Sequence, residues 1–277
     1  MPIITLLTDF QDGDGFTGIL KGVIAGIAPE ARLIDLAHGV PPGDVPHAAF
    51  VLRCAYLYFP PGTIHLAVVD PGVGGSRRAL TVQALGQYFV APDNGLLAWV
   101  LHELASAGES ARAWSLTDTR FRLEPLSATF HGRDLFAPAA AFLARGIDPA
   151  ELGPELEARL KPAGELESGP VGPLLPHPGD PPGTGRVVHV DAFGNAVTSI
   201  PNPPVTDQAG PDRVGAMVET AAGPLEVYGP VTAYAWGRPD RMVLVPGSSG
   251  LLEIATSGGS AGRLFGIARG ASVRLIV

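Results

Sequence analysis

A single cysteine, Cys54, excludes an internal disulfide and any zinc site built on clustered cysteines. It stands in the apolar run FVLRCAYLYF, where a buried, inert thiol is expected. Charge is also sparse: Asp, Glu, Lys and Arg make up 17% of the 277 residues, and no stretch forms an acidic or basic tail. Acidic residues outnumber basic ones by 27 to 19, a net charge of −8, which argues against a general nucleic-acid surface. No uninterrupted apolar run approaches the ~20 residues that span a bilayer. The N-terminus, MPIITLLTDF, lacks a basic n-region and reaches Asp9 too soon for a signal-peptide core. A cytoplasmic location with no membrane partner is therefore expected.

Several chemistries are missing as well. The seven histidines form no HExxH or comparable metal-ligand pair. TDFQDGDG, residues 8–15, holds three aspartates in six positions, but it fails as a calcium loop. Counted from Asp12, the sixth and twelfth positions are Thr17 and Val23 where Gly and Glu are required. Asp12 and Asp14 read instead as turn and N-cap residues. PGVGGSRR is not followed by GK[ST] and lacks the GxGxxG spacing, so its glycines are expected to let the backbone pass close to a ligand. Ser248 and Ser249 in PGSSG do not match the nucleophile elbow of serine hydrolases.

What remains has 46% hydrophobic content, enough to bury a sizeable core in two modest domains. Ile3–Thr8 reads as a buried parallel strand. Phe16, Ile19, Leu20, Val23, Ile24 and Ile27 form one face of a helix that ends before Pro29. Arg32–Ala37 is strand-like, Asp44 is a helix N-cap, Thr63–Val69 is strand-like with Asp70 at its carboxyl end, and Tyr88–Ala91 and Leu96–Leu104 continue the alternation. This pattern predicts an α/β domain over residues 1–160, a mostly parallel sheet flanked by helices. Ligands of such sheets sit beyond the carboxyl ends of the strands, where Asp9 and Asp70 fall. Residues 161–185, rich in Pro and Gly, read as a linker. Short β-like runs at 186–191, 214–220, 225–228, 242–245, 251–255 and 272–277 predict a smaller all-β domain over 186–277.

Three segments carry candidate chemistry. VVDPGVGGSRRAL (68–80) places Asp70 at a strand end and Arg77 past a glycine-rich loop; FHGRDLFAPAAA (130–141) supplies His131. A carboxylate, a guanidinium and an imidazole can orient and polarise a water without a metal, and that combination points to an enzyme. Arg77 and Arg78 are adjacent, so at most one enters a given site, and Asp134 is a candidate cap for the helix that follows. Asp9 is placed to accept hydrogen bonds from both hydroxyls of a ribose. In HVDAFGNAVTSI, Asp191, Phe193 and Asn195 share a face if the segment is extended, a vocabulary for an amino-acid or nucleoside moiety; FGN is equally compatible with a hairpin turn that breaks that face.

Taken in order, ITLLTDF, VVDPGVGGSRR, APDNGLL, FHGRDLFAPAAA, DAFGN and GSSGLLEIA resemble the S-adenosylmethionine hydroxide adenosyltransferase family, the adenosine-forming SAM hydrolases related to the SAM-dependent chlorinase and fluorinase. The resemblance runs through nearly the whole chain. It implies a barrel-like C-terminal β domain, a homotrimer with sites between subunits, SAM as substrate rather than cofactor, and no metal. It implies a catalytic triad of Asp70, Arg77 and His131, a ribose carboxylate at Asp9, methionine contacts at Asp191 and Ser248, and adenine contacts at Phe193 and Asn195. The halogenating relatives have Tyr or Gly in place of Asp70 and no histidine at 131, so hydroxide is the expected nucleophile. Gly43 stands where the fluorinase has Trp. Two other readings are a halide-using adenosyltransferase on the same fold and a SAM- or adenosine-binding sensor with little turnover.

Overall fold

The computed structural model describes residues 1–161, 165–177, 179–203, 210 and 212–276. Two compact units divide the chain, Met1–Gly172 and Pro173–Val277. Within the expected linker, residues 162–164 and 178 lie outside the described residues; Gly169–Leu174 is a 3-10 helix and Thr184 opens a strand.

The first unit runs β1 (Ile3–Thr8), α1 (Phe16–Ile27), β2 (Arg32–Ala37), α2 (Val45–Ala55), β3 (Ile64–Val68), β4 (Ala79–Ala84), β5 (Gln87–Pro92), α3 (Ala98–Ser106), β6 (Arg112–Ser115), α4 (Ala137–Ala144) and β7 (Glu155–Leu156). Its sheet has the order β2-β1-β3-β5-β4-β6-β7. β2, β1, β3 and β5 are parallel neighbours, whereas β4, β6 and β7 join antiparallel. The strand composition explains the centre: β3, IHLAV, is buried at every position, as a strand covered on both faces requires. α1 and α4 pack together on the core of Ile4, Leu6, Leu20, Ile24, Leu66 and Phe136; α2 packs against α3. Asp44 caps α2 as expected, accepting from the His47 N–H at 3.1 Å. α1 instead starts at Gly15, φ +72°, with no side-chain cap from Asp12 or Asp14. Cys54 is half-buried rather than buried.

The topology sets up the site. From β1 the chain goes to β2 on one side and then returns through α2 to β3 on the other. The carboxyl ends of β1 and β3 thus flank the point where the winding direction reverses, the usual ligand crevice of such sheets.

The second unit contains β8 (Thr184–Val190), β9 (Ala196–Pro201), β10 (Val214–Thr220), β11 (Gly223–Tyr228), β12 (Met242–Pro246), β13 (Leu251–Ala255), α5 (Ala261–Phe265) and β14 (Ser272–Leu275). The strands close into a barrel, β10-β11-β12-β13-β9-β8-β14. Alternate residues, among them Ala216, Val218, Leu252 and Ile254, fill its interior. β9 had no counterpart among the expected strands, and residue 277 of the last one lies outside the described residues. Among the described residues no helix is long and apolar enough to cross a membrane.

Candidate active site

Thr8 of β1 pairs with Val68 of β3, so the two following loops leave the sheet side by side, one carrying Asp9 and the other Asp70. Asn94 secures the second exit by donating from Nδ2 to the Val69 carbonyl at 2.9 Å. The 70–77 loop then turns back, with the Val73 N–H donating to the Asp70 carbonyl at 3.2 Å and Gly75 to Gly72 at 3.0 Å. Gly74, φ +76°, is needed here because a Cβ would collide with the Ala128 carbonyl. The close approach that this glycine permits is therefore to the chain's own backbone.

The loop returns Arg77 to Asp70. Nε of Arg77 donates to both carboxylate oxygens at 3.0 and 2.9 Å, and Nη2 also donates to Oδ2. The same Nη2 donates to Nδ1 of His131 at 2.7 Å. Asp70 and Arg77 are buried, with 6% and 11% of their side chains exposed. The guanidinium also lies over the Phe136 ring, 5.4 Å from its centroid. Arg78 faces elsewhere and pairs with the buried Asp93, whose other oxygen accepts from the Glu167 N–H at 2.8 Å.

An arginine has donors only, so Nδ1 of His131 must accept and the neutral ring carries its proton on Nε2. Burial, and next the Arg77 charge, hold the imidazole below its ordinary pKa, while Asp70 opposes them. The ring is delivered by an unusual backbone: residues Gly132–Phe136 form a π-helical turn between His131 and α4. Asp134 does not cap α4. It accepts from the Ser127 N–H at 2.8 Å and pairs with Arg133, fastening the loop that leads to His131.

Asp9, half-buried, accepts from the Gly43 N–H at 2.7 Å. It shares a cavity of about 400 Å³ with Phe10, Gly43, Asp70, Phe130 and His131. Phe10, Phe16 and Phe130 meet edge to face, with centroids 5.2 to 6.0 Å apart. Four of the expected site residues are therefore gathered in the first unit, with Asp70 and His131 joined through Arg77.

The second unit holds the other four. Residues 191–195 are a turn rather than an extended strand, so Asp191, Phe193 and Asn195 do not share a strand face. Asp191 Oδ1 accepts from the N–H groups of Phe193 and Asn195 at 2.9 and 2.8 Å, and its Oδ2 accepts from Asn195 Nδ2 at 3.1 Å. Phe193 is left 82% exposed at the tip, while Asn195 is buried. Ser248 is exposed in the turn between β12 and β13.

Comparison with known proteins matches residues 4–153 to the SAM hydroxide adenosyltransferase N-terminal domain and residues 185–274 to the C-terminal domain of the same name. The chain belongs to the SAM hydroxide adenosyltransferase family. It is 40% identical over 287 residues to the (R)-S-adenosyl-L-methionine hydrolase of Thermus thermophilus, covering 99% of each chain. It is also 26% identical over 175 residues to a fluorinase of Actinoplanes, covering 55% of this chain and 57% of that one. Among solved structures, an uncharacterized conserved protein from Thermotoga maritima superposes with a TM-score of 0.80 at 31% identity, over 99% of this chain and all of that one. The mixed sheet and the closed barrel described above are the two folds of this family member.

Asn94 and Asp93 are supporting residues without a role in the motif reading, whereas Asp134 and Gly74 hold the loops around the site instead of capping α4 and approaching a ligand. Only the short motif APDNG marks Asp93 and Asn94, and it does not say which backbone group their side chains hold.

Proposed function

We propose that this chain hydrolyses S-adenosyl-L-methionine to adenosine and L-methionine by in-line attack of a water-derived oxygen on C5′. The observation that carries the reading is the Arg77 nitrogen shared by Asp70 and His131 at the edge of the cavity. The substrate is supported by the end-to-end similarity to a SAM hydrolase.

The chemistry follows from charge. The leaving group departs from a sulfonium as a neutral thioether, so the C5′–S pair stays on sulfur and no general acid is needed there. The requirement is an aligned, proton-depleted water behind C5′. Asp70 takes the proton from that water as the new O–C5′ bond forms, and the proton passes on to solvent. His131, with its proton on Nε2, donates to the attacking oxygen and fixes its direction. Arg77 holds both partners and keeps Nδ1 from being protonated. Orientation of this kind accounts for about 7–11 kcal/mol in favourable systems, and base assistance for roughly 10²–10⁴-fold. Attack of a partly anionic oxygen on a cation neutralises charge, which a dry pocket favours.

Asp9 receives the ribose hydroxyls, Asp191 and Ser248 the methionine end, and Phe193 and Asn195 the adenine. Asp191 spends three hydrogen bonds on its own turn, yet a carboxylate has about four acceptor positions and so retains capacity for an ammonium. The reading includes a homotrimer with sites between subunits, which the family resemblance implies, and a cytoplasmic location, which the sequence composition suggests; sedimentation of the purified protein tests the first.

The deciding experiment is mass spectrometry of SAM incubated with the protein in ¹⁸O-water, with and without chloride. Adenosine bearing one ¹⁸O at the 5′ position together with methionine is the expected result. Chloride-dependent 5′-chloro-5′-deoxyadenosine would instead assign a halide nucleophile, and bound adenosine without turnover would assign a sensor.

A further inference from the structure

Glu253 is a buried acid on the outer face of the barrel. It lies on β13, paired in register with Val245 of β12 and Val197 of β9, and only 6% of it is exposed. Its neighbours Leu252 and Ile254 point into the barrel, so Glu253 faces outward, on the side where Val231, Val243, Val245 and Ala255 form a small apolar cluster. A leucine or methionine there would pack against valines without burying a charge.

One carboxylate oxygen is hydrogen-bonded and the other lies against the backbone of a glycine. Oε2 accepts from the Tyr234 hydroxyl at 2.5 Å. Oε1 rests on Gly247, where a Cβ would collide with it and would lie 2.7 Å from Cδ. Gly247 opens the turn that carries Ser248. That turn is closed by the Gly247 N–H donating to the Leu251 carbonyl at 2.9 Å and by Asn202 Nδ2 donating to the Gly247 carbonyl at 2.8 Å. Asn202 and Glu253 thus hold the same residue from two sides. Asp191 lies within electrostatic reach: burial pushes the Glu253 carboxyl up, the Tyr234 hydroxyl opposes this, and Asp191 adds to it. Two acids whose fields add in this way favour a ligand that brings a positive charge.

We propose that Glu253 is a positioning residue for the amino-acid end of the substrate, its carboxylate wedged between Gly247 and the Tyr234 hydroxyl so as to set the turn that carries Ser248 and to add its field to that of Asp191. The inference rests on the proposed function, in which Asp191 and Ser248 receive the methionine moiety.

The test compares Glu253→Gln, Gly247→Ala and Tyr234→Phe with the unaltered protein, measuring kcat and KM for SAM and the product-inhibition constants of L-methionine and adenosine. Glutamine keeps the size and an acceptor for Tyr234 but removes the charge. It is expected to raise KM and the methionine constant together by about tenfold, with kcat within about twofold and the adenosine constant unmoved. Gly247→Ala displaces the carboxylate from the other side and is expected to shift the same two constants; Tyr234→Phe shifts them less. A merely structural role would move adenosine and methionine alike, and that result would overturn the proposal. So would a folded Glu253→Gln protein with a methionine constant unchanged from the parent. Should Glu253→Gln lose its thermal transition, the Gly247 and Tyr234 variants decide on the same criterion. Absence of SAM turnover by the unaltered protein would strike at the proposed function itself, whereas turnover with an unmoved methionine constant strikes only at Glu253.

Discussion

Arg77 sets one nitrogen, Nη2, against two partners at once, the Asp70 carboxylate and the Nδ1 of His131, 2.7 Å away. A cation at that point opposes protonation of the imidazole, and in the proposed mechanism the carboxylate is the partner that accepts the proton from water. Lysine cannot reproduce this, because its ammonium is a point charge without the planar fork that reaches both groups. Arg77→Lys is accordingly expected to lower kcat by about a hundredfold with KM near its parent value. Steady-state assay of adenosine release checks this. A variant with more than a tenth of the parent kcat would remove the shared nitrogen from the mechanism.

The pH dependence has a definite sign. Protonating His131 would place a hydrogen on Nδ1 facing the Arg77 N–H, two donors in opposition. Burial and the Arg77 charge depress the imidazole below its ordinary value of 6.5. The rate is therefore expected to fall on the acid side with an apparent pKa below 6.5 and to be flat just above it. His131→Gln retains an N–H donor but does not titrate, so its residual activity should lack that limb. A limb that persists unchanged in the glutamine variant would belong to another group.

The parts of this site that sequence reading found are those governed by local rules. Asp9 and Asp70 were placed by the carboxyl-end rule for parallel strands, which needs only the apolar runs before them. β4 escaped it, because it joins β5 through a tight antiparallel hairpin with no helix between the two, and β6 and β7, four and two residues long, are too short to show a pattern. β9 is hidden by its own beginning: HVDAFGNAVTSI is compatible with an extended segment or with a turn at FGN, and the backbone turns at Gly194, φ +88°, before the strand starts. Asp134 resembled a helix cap by spacing alone, but the π-helical turn shifts it off the α4 terminus and onto Ser127. Glu253 and Tyr234 are 19 residues apart and meet only because the barrel brings them together, so no spacing rule links them.

Asp134 offers a test of how the loop before His131 is held. Its side chain is buried, pairs with Arg133 and accepts the Ser127 N–H. The Arg133 hydrogen bond keeps its carboxyl below the ordinary range, so this contribution to stability is present above about pH 4 and is lost as pH falls further. Asp134→Asn gives up the charge-assisted bonds and is expected to cost about 1–3 kcal/mol in urea unfolding. The loosened 123–130 loop should also lower kcat more than it raises KM. Unchanged stability at neutral pH would show that Ser127 and Arg133 find other partners.

His65 should make the fold acid-sensitive far from the chemistry. It is fully buried in β3, stacked on Phe89 with centroids 5.0 Å apart, and bridged between Thr5 and Gln87 at 2.8 and 3.3 Å. Burial, only partly opposed by Gln87, pushes its pKa down from 6.5 to about 4. The unfolded chain therefore binds a proton at a pH where the folded chain does not. This group's contribution is complete above pH 6.5 and is lost as pH falls toward 4, a total of about 3 kcal/mol. Urea unfolding across that window should show stability falling with acidity. His65→Phe keeps a ring on Phe89 but cannot titrate. The variant starts less stable, since Thr5 and Gln87 lose a partner, yet its stability should change with pH by a visibly smaller slope than the parent's. The slope is the informative quantity, because carboxylates titrating in the same window contribute equally to both proteins. Equal slopes would mean that His65 is protonated within the folded core.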